Sequence, residues 1–312
     1  MTSEMSPIGE RTEPPRVVLA GVSVAQLRSD GLALWDGGKG VLLRTDPLQS
    51  TVALTPHAGE VFTFSRPAAS GTICRHSAQA AGTPVCARVG NDSGARELSL
   101  LIAGPDGHLW LEKETELLEL VLEGSALEER GKVRRRQSAQ VLPDGTIVES
   151  GAGLIEWTPL RGGTQRTKVD CDARVIAGQD SLLVLTGQGR PPGEEGLERW
   201  QAVRVAPAGS VTILGELLGH PYDAVPWRGG VAVLRGNRSK YSEPVRWDLV
   251  LIDPGSPTRE ESLPIQPGYV RIWDSGWSIA AAGDLVAVGN RDRLAVFDLA
   301  QSKWTITDGP TD

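Results

Sequence analysis

Few residues in this 312-residue chain could do acid–base chemistry near neutral pH: the four histidines are His57, His76, His108 and His220. None sits in an HExxH pattern, which would set two imidazoles and a glutamate around zinc, and no GxSxG turn presents a serine nucleophile. Gly187–Gly193 (GQGRPPG) and Gly37–Gly40 (GGKG) are rich in glycine. Their spacing departs from that of phosphate loops, and no helix follows the first to receive a phosphate at its N-terminus. His220 lies close enough to Asp223 for an acid–base pair, although a loop histidine with satisfied hydrogen bonds is the simpler reading. Three cysteines are present; Cys74 and Cys86 flank HSAQAAGTPV and could face each other across a hairpin. Two buried thiols in a reducing compartment is the plain reading, with a disulfide as the alternative. Cys171 has no evident partner, and without a CxxC pair a zinc site lacks its usual spacing. No catalytic residue, metal site or cofactor is therefore assigned.

A second group of side chains suits recognition. His220, Tyr222, Arg238, Lys240, Tyr241, Tyr269, Arg271, Trp273 and Asp274 combine aromatic rings with cations. Such mixtures form protein-binding hot spots or hold small anionic ligands. They fall in three turn-rich stretches, 215–223 (GELLGHPYD), 236–246 (GNRSKYSEPVR) and 264–276 (PIQPGYVRIWDSG), and a fourth, 188–199 (QGRPPGEEGLER), resembles them. What they can do depends on the elements that bring them together.

Those elements are clearest in Trp277–Gly309. Ser278–Ala282 is small and apolar, Gly283–Asp284 signals a turn, and Leu285–Val288 is a second apolar run. Asn290–Arg293 is polar, Leu294–Phe297 is a third run ended by Asp298, and Trp304–Thr307 alternates apolar and polar. Four short runs with such short links leave no room for crossover helices, so the pairing is antiparallel.

The pattern recurs upstream. Asp30–Gly31, Asp106–Gly107, Asp144–Gly145, Gln179–Asp180, Gly229–Gly230 and Gly283–Asp284 each separate a first from a second apolar run. Asp46, Asp253 and Asp298 each end a third. First strands recur about every 40 residues early and about every 50 late, a period that belongs to β-propellers. The expected fold is all-β, a propeller of antiparallel four-stranded blades, seven in number with six as the alternative. The first blade is placed at 22–55, with Thr51–Leu54 as its outer strand. The lone strand Arg16–Gly21 is expected to pair with the last blade and close the ring, removing exposed sheet edges. Residues 1–15 read as a disordered lead-in to a single domain over 16–312. One region resists: Glu112–Gly131 has helix formers and leucines spaced for a helix as well as for two strands, and context favours strands.

The chain thus resembles the seven-bladed repeat propellers, the WD40 and YVTN-like proteins. Phe297–Asp298 sits where a WD40 repeat has its Trp–Asp pair, while that repeat lacks the Gly–His pair that stands earlier in a WD40 blade. The resemblance carries no functional residue over.

Composition agrees. The 37 Gly and 21 Pro supply many turns, and 40% hydrophobic content can fill a core. A net charge of −7 argues against sequence-independent nucleic-acid binding, so Arg134–Arg136 reads as part of a solvated outer strand. No apolar run reaches the length of a membrane span, and the N-terminus lacks the apolar core of a signal peptide. The expectation is a cytoplasmic monomer. In a propeller, loops from second to third strands and loops between blades emerge on one face. All four stretches named above lie there, in blades five to seven, and loops carry function more often than strands. The reading is a non-catalytic module that binds a protein or peptide through that face. An enzyme or small-ligand binder using the channel mouth, and a sugar-binding propeller, are the alternatives.

Overall fold

The computed structural model describes residues 16–28, 31–47, 51–65, 71–77, 82–89, 100–104, 107–113, 116–134, 139–142, 144–151, 154–160, 162–168, 173–178, 180–187, 198–207, 209–237, 246–265 and 276–308. They form seven antiparallel four-stranded sheets and, among the described residues, no helix, hence none long and apolar enough to cross a membrane. Blade one is β1 (Val17–Ala20), β2 (Ser23–Leu27), β3 (Leu32–Asp36) and β4 (Val41–Asp46). Blade two is β5 (Thr51–His57), β6 (Glu60–Ser65), β7 (Thr72–Ser77) and β8 (Val85–Arg88). Blade three is β9 (Leu101–Ala103), β10 (Leu109–Lys113), β11 (Glu116–Glu123) and β12 (Ala126–Arg134). Blade four is β13 (Gln140–Val141), β14 (Ile147–Gly151), β15 (Leu154–Thr158) and β16 (Gln165–Lys168). Blade five is β17 (Ala173–Gly178), β18 (Leu182–Gly187), β19 (Arg199–Val205) and β20 (Val211–Leu218). Blade six is β21 (His220–Trp227), β22 (Gly230–Asn237), β23 (Arg246–Ile252) and β24 (Arg259–Ser262). Blade seven is β25 (Ser278–Ala282), β26 (Leu285–Gly289), β27 (Arg293–Asp298) and β28 (Lys303–Asp308).

The second strand of each blade explains the continuous apolar runs in the sequence. Side chains alternate across a strand, and here both faces are covered. On β26, Val286 and Val288 pack toward blade six while Leu285 and Ala287 pack toward blade one. On β18, Leu182 and Val184 meet blade four while Leu183 and Leu185 meet blade six. Seven apolar clusters fill the seven junctions between neighbouring blades. An open row of seven blades would have only six junctions, so the seventh cluster closes the ring.

That closure differs from the expected one. The N-terminal strand β1 does not join the sheet of blade seven; it pairs with β2 as the innermost strand of blade one. It still faces blade seven. Val17 and Leu19 pack against Ala280, Leu285, Leu294 and Val296, and the Arg16 and Val17 amides donate to Ser278 Oγ at 2.9 and 3.0 Å. Gln26 adds a tie, its Nε2 donating to the Asn290 carbonyl at 2.8 Å. With β1 as the first strand of blade one, the frame moves by one strand: β5, which starts at Thr51, is the inner strand of blade two, not the outer strand of blade one. For the same reason Gly31 lies between second and third strands, and Asp30 lies outside the described residues. Trp35–Asp36, at the end of β3, occupies the place that Phe297–Asp298 has at the end of β27. Asp36 Oδ1 accepts from the Gly38 and Lys39 amides, as Asp298 Oδ1 accepts from Gln301. From blade three onward the sequence frame holds, and Glu112–Gly131 supplies the hairpin of β11 and β12. Arg134 is exposed on β12 opposite Glu116, the solvated outer-strand placement expected of it; Arg135 and Arg136 lie outside the described residues.

The cysteines depart from the plain reading. Cys74 and Cys86 are directly opposite on β7 and β8, with Cα atoms 4.1 Å apart, and form a disulfide. Cross-strand register brings the two sulfurs within bonding reach. Cys171, residues 1–15 and residues 309–312 lie outside the described residues.

Candidate binding face

Of the nine candidate residues, His220 and Tyr222 are described; Arg238, Lys240, Tyr241, Tyr269, Arg271, Trp273 and Asp274 lie outside the described residues. The stretch 215–223 is not a loop. β20 runs to Leu218 and β21 begins at His220, with Gly219 alone between them at φ 104°. The Gly219 amide donates to the Glu198 carbonyl at 2.8 Å, so the link between blades five and six is stitched to the start of β19.

This brings three side chains together. His220 Nδ1 is 3.2 Å from Glu198 Oε2, and Trp200 Nε1 donates to the same oxygen at 3.3 Å. The Trp200 and His220 rings meet edge to face, centroids 6.3 Å apart. Trp200 lies across Gly187, close enough that a Cβ there would be in van der Waals contact with the indole. With Nδ1 against the carboxylate, Nε2 is the second polar atom of the His220 ring. The His220 side chain is 46% exposed and that of Glu198 36%. The cluster therefore offers a partner an imidazole, a carboxylate and an indole edge. Glu198 and Trp200 were not among the expected site residues; Trp200 read only as the start of a third strand.

Tyr222 goes elsewhere. Register shifts between Pro221 and Asp223, a bulge that re-aims the ring. It packs edge to face on Trp247, centroids 5.0 Å apart, against the core of blades six and seven. The His220–Asp223 pair does not form either. Asp223 is buried: Oδ1 accepts from Arg174 Nη2 and the Ala224 amide, and Oδ2 accepts from the Ile279 amide at 3.1 Å. Arg174 also donates to the Pro221 and Tyr222 carbonyls. Asp223 is thus a clip across blades five, six and seven. Behind it, the buried Arg235 forks onto Glu260 (2.8 and 2.7 Å) and reaches Asp248 at 2.9 Å. Burial works against the guanidinium charge, and the hydrogen bonds to Glu260 and Asp248 outweigh it, raising the Arg235 pKa.

One further constellation has the outline of a nucleophile, base and acid. His76 Nδ1 lies 2.7 Å from Asp46 Oδ2, and Nε2 lies 3.0 Å from Thr63 Oγ1. Thr63 and His76 are completely buried at the junction of blades one and two, so no substrate reaches them. Burial pushes the His76 pKa below its ordinary value, against the pull of Asp46 and with added repulsion from Arg44. The neutral imidazole donates to Asp46 and accepts from Thr63, so both ring nitrogens have a partner; its work is to join blades. Among the described residues no three His, Cys, Asp or Glu side chains converge on a metal-sized site.

Neither a protein-family profile nor a curated protein matches the sequence. Solved structures match in fold. A variant of KlHsv2 with loop 6CD replaced by a Gly-Ser linker is similar at TM-score 0.53 and 11% identity, over 93% of this chain and 94% of that one. The tricorn protease is similar at TM-score 0.57 and 9% identity, over 99% of this chain but 35% of that one. A chain of the mitotic checkpoint complex is similar at TM-score 0.51 and 9% identity, over 97% and 93%. The chain is a seven-bladed repeat β-propeller, as the resemblance implied, and identities this low carry the fold alone.

Proposed function

We propose that this propeller is a non-catalytic interaction module that binds a protein or peptide through the face of blades five to seven. The supporting observation is the Glu198–Trp200–His220 cluster, where the entry to a third strand and the link to the next blade meet. Its groups are fixed by one another, so little side-chain entropy remains to be lost on binding. An ordered indole and imidazole beside a carboxylate suit a partner's polar backbone and aromatic or basic side chains. Arg238, Lys240, Tyr241, Tyr269, Arg271, Trp273 and Asp274 are proposed contributors to the same face.

The test is affinity capture from the native source with three proteins: wild type, Trp200→Ala/His220→Ala and Arg271→Ala/Trp273→Ala. The expected result is one partner retained by wild type and lost by both variants, at unchanged circular dichroism. A partner held equally by all three would overturn the assignment of the face. Capture of none, with a metabolite raising the melting temperature instead, would move the function to the channel mouth.

A further inference from the structure

The disulfide between β7 and β8 is set apart from the rest of the core by what surrounds each sulfur. Cys74 is buried, only 5% exposed, on the third strand of blade two. Cys86 is exposed on the outermost strand, which is four residues long. The two faces of β8 are held differently. Toward blade three, Val89 packs into the apolar cluster with Ile73 and Phe64, and its amide donates to the Gly71 carbonyl at 2.9 Å. On the side toward blade one, the disulfide ties β8 to β7, and Arg44 Nη1 of blade one donates to the Gly82 carbonyl at 3.0 Å. Cys74 and His76 lie on the same face of β7, because side chains two apart on a strand share a face. His76 is anchored independently through Asp46 and Thr63.

We propose that Cys74–Cys86 is a thiol–disulfide exchange site, open to a dithiol reductant from the Cys86 side, and that reduction frees β8 while blade two keeps its other strands. A thiolate of the reductant attacks Cys86 Sγ in line with the S–S bond. A mixed disulfide forms on Cys86, and Cys74 leaves as a thiolate that takes a proton from solvent. The second thiol of the reductant then attacks its own mixed-disulfide sulfur, releasing the Cys86 thiolate, which is protonated in turn. Two electrons pass to the protein, the reductant becomes a cyclic disulfide, and two thiols remain. Attack on Cys74 is blocked by burial. The leaving group is also the desolvated one, so exchange is slower than for an open disulfide and is paced by the lifting of β8. Once the bond is broken, β8 is held on its blade-one side by backbone pairing and Arg44, whereas β6 and β7 remain fixed through Thr63, His76 and Asp46.

The sequence makes the test direct, because Arg75 separates the two cysteines and trypsin delivers them on different peptides. The native full-length protein is treated with glutathione, to trap the mixed disulfide, and separately with dithiothreitol followed by iodoacetamide. The expected adduct is on the peptide His76–Arg88, exceeding that on the Cys74 peptide by about tenfold. After dithiothreitol, amide hydrogen exchange should rise about tenfold or more at residues 85–89 and stay unchanged at 60–65. Cys74→Ser/Cys86→Ser should show the same fast exchange at 85–89 without reductant. The proposal is overturned by a bond that resists both reagents until the protein unfolds, by adducts on Cys74 first, or by exchange that rises across all blades together.

Discussion

Replacing His76 by Gln tests whether the blade one–two junction depends on a neutral imidazole. Within the fold the ring is fully buried, donating to Asp46 and accepting from Thr63, and its pKa lies below the ordinary value of 6.5. As pH falls, the unfolded chain therefore takes up a proton on His76 before the folded protein does. The sign follows: this group's contribution is complete above about pH 6.5 and declines below it, at up to about 1.4 kcal/mol per pH unit until the folded pKa is reached. Arg44 and Asp46 are the charged groups facing the ring, and Thr63 is neutral at every pH concerned. The Gln amide can donate to Asp46 and accept from Thr63, but imperfect geometry in a buried site should cost about 1–3 kcal/mol at pH 7. It cannot be protonated. The assay is urea unfolding of wild type and His76→Gln between about pH 5 and 7.5. Subtracting the two curves cancels His57, His108 and His220, which both proteins share. The expected difference is largest at pH 7 and shrinks steadily below about 6.5, as wild type loses what the variant never had. A difference that stays constant over the whole range would refute the reasoning, because burial would then not be holding His76 neutral.

Other outcomes follow from the same contacts. Asp223→Ala leaves Arg174 and the Ala224 and Ile279 amides short of an acceptor across three blades; it should cost about 3 kcal/mol, read as a lower urea midpoint, and a loss below about 0.5 kcal/mol would contradict the clip. Gly230→Ala would set a Cβ onto the Ile252 carbonyl oxygen of the neighbouring strand, which cannot swing away, and should destabilise by about 1–3 kcal/mol. Gly283→Ala, by contrast, projects into open space at φ 57° and should cost about 1 kcal/mol, so the two melting temperatures should differ in that order.

Local chemistry made much of this protein legible in its sequence. Turn residues such as Asp144–Gly145 and Gly283–Asp284 mark first hairpins because glycine alone takes their positive φ cheaply, at 82° and 57°. Second strands read as unbroken apolar runs because a blade buries both faces of its middle strands. Links too short for a helix forced antiparallel pairing, and even the ambiguous Glu112–Gly131 resolved to strands on that ground. The frame of the repeat was not local. Any strand of a meander can pair with either neighbour, so only the pairing of β1 with β2 in the folded ring shows that β1 belongs to blade one and that Trp35–Asp36, not Asp46, ends its third strand. Side-chain partners were equally hidden: Asp223 meets Ile279, and His76 meets Asp46, over separations of 56 and 30 residues. The placement of His220 beside Glu198 and Trp200 instead of Asp223 depends on the bulge at Tyr222 and on strand alternation, which turn Asp223 into the junction and His220 out of it. Spacing in the chain gives which residues are near in sequence; which face each takes, and what waits there from another blade, is decided when the ring closes.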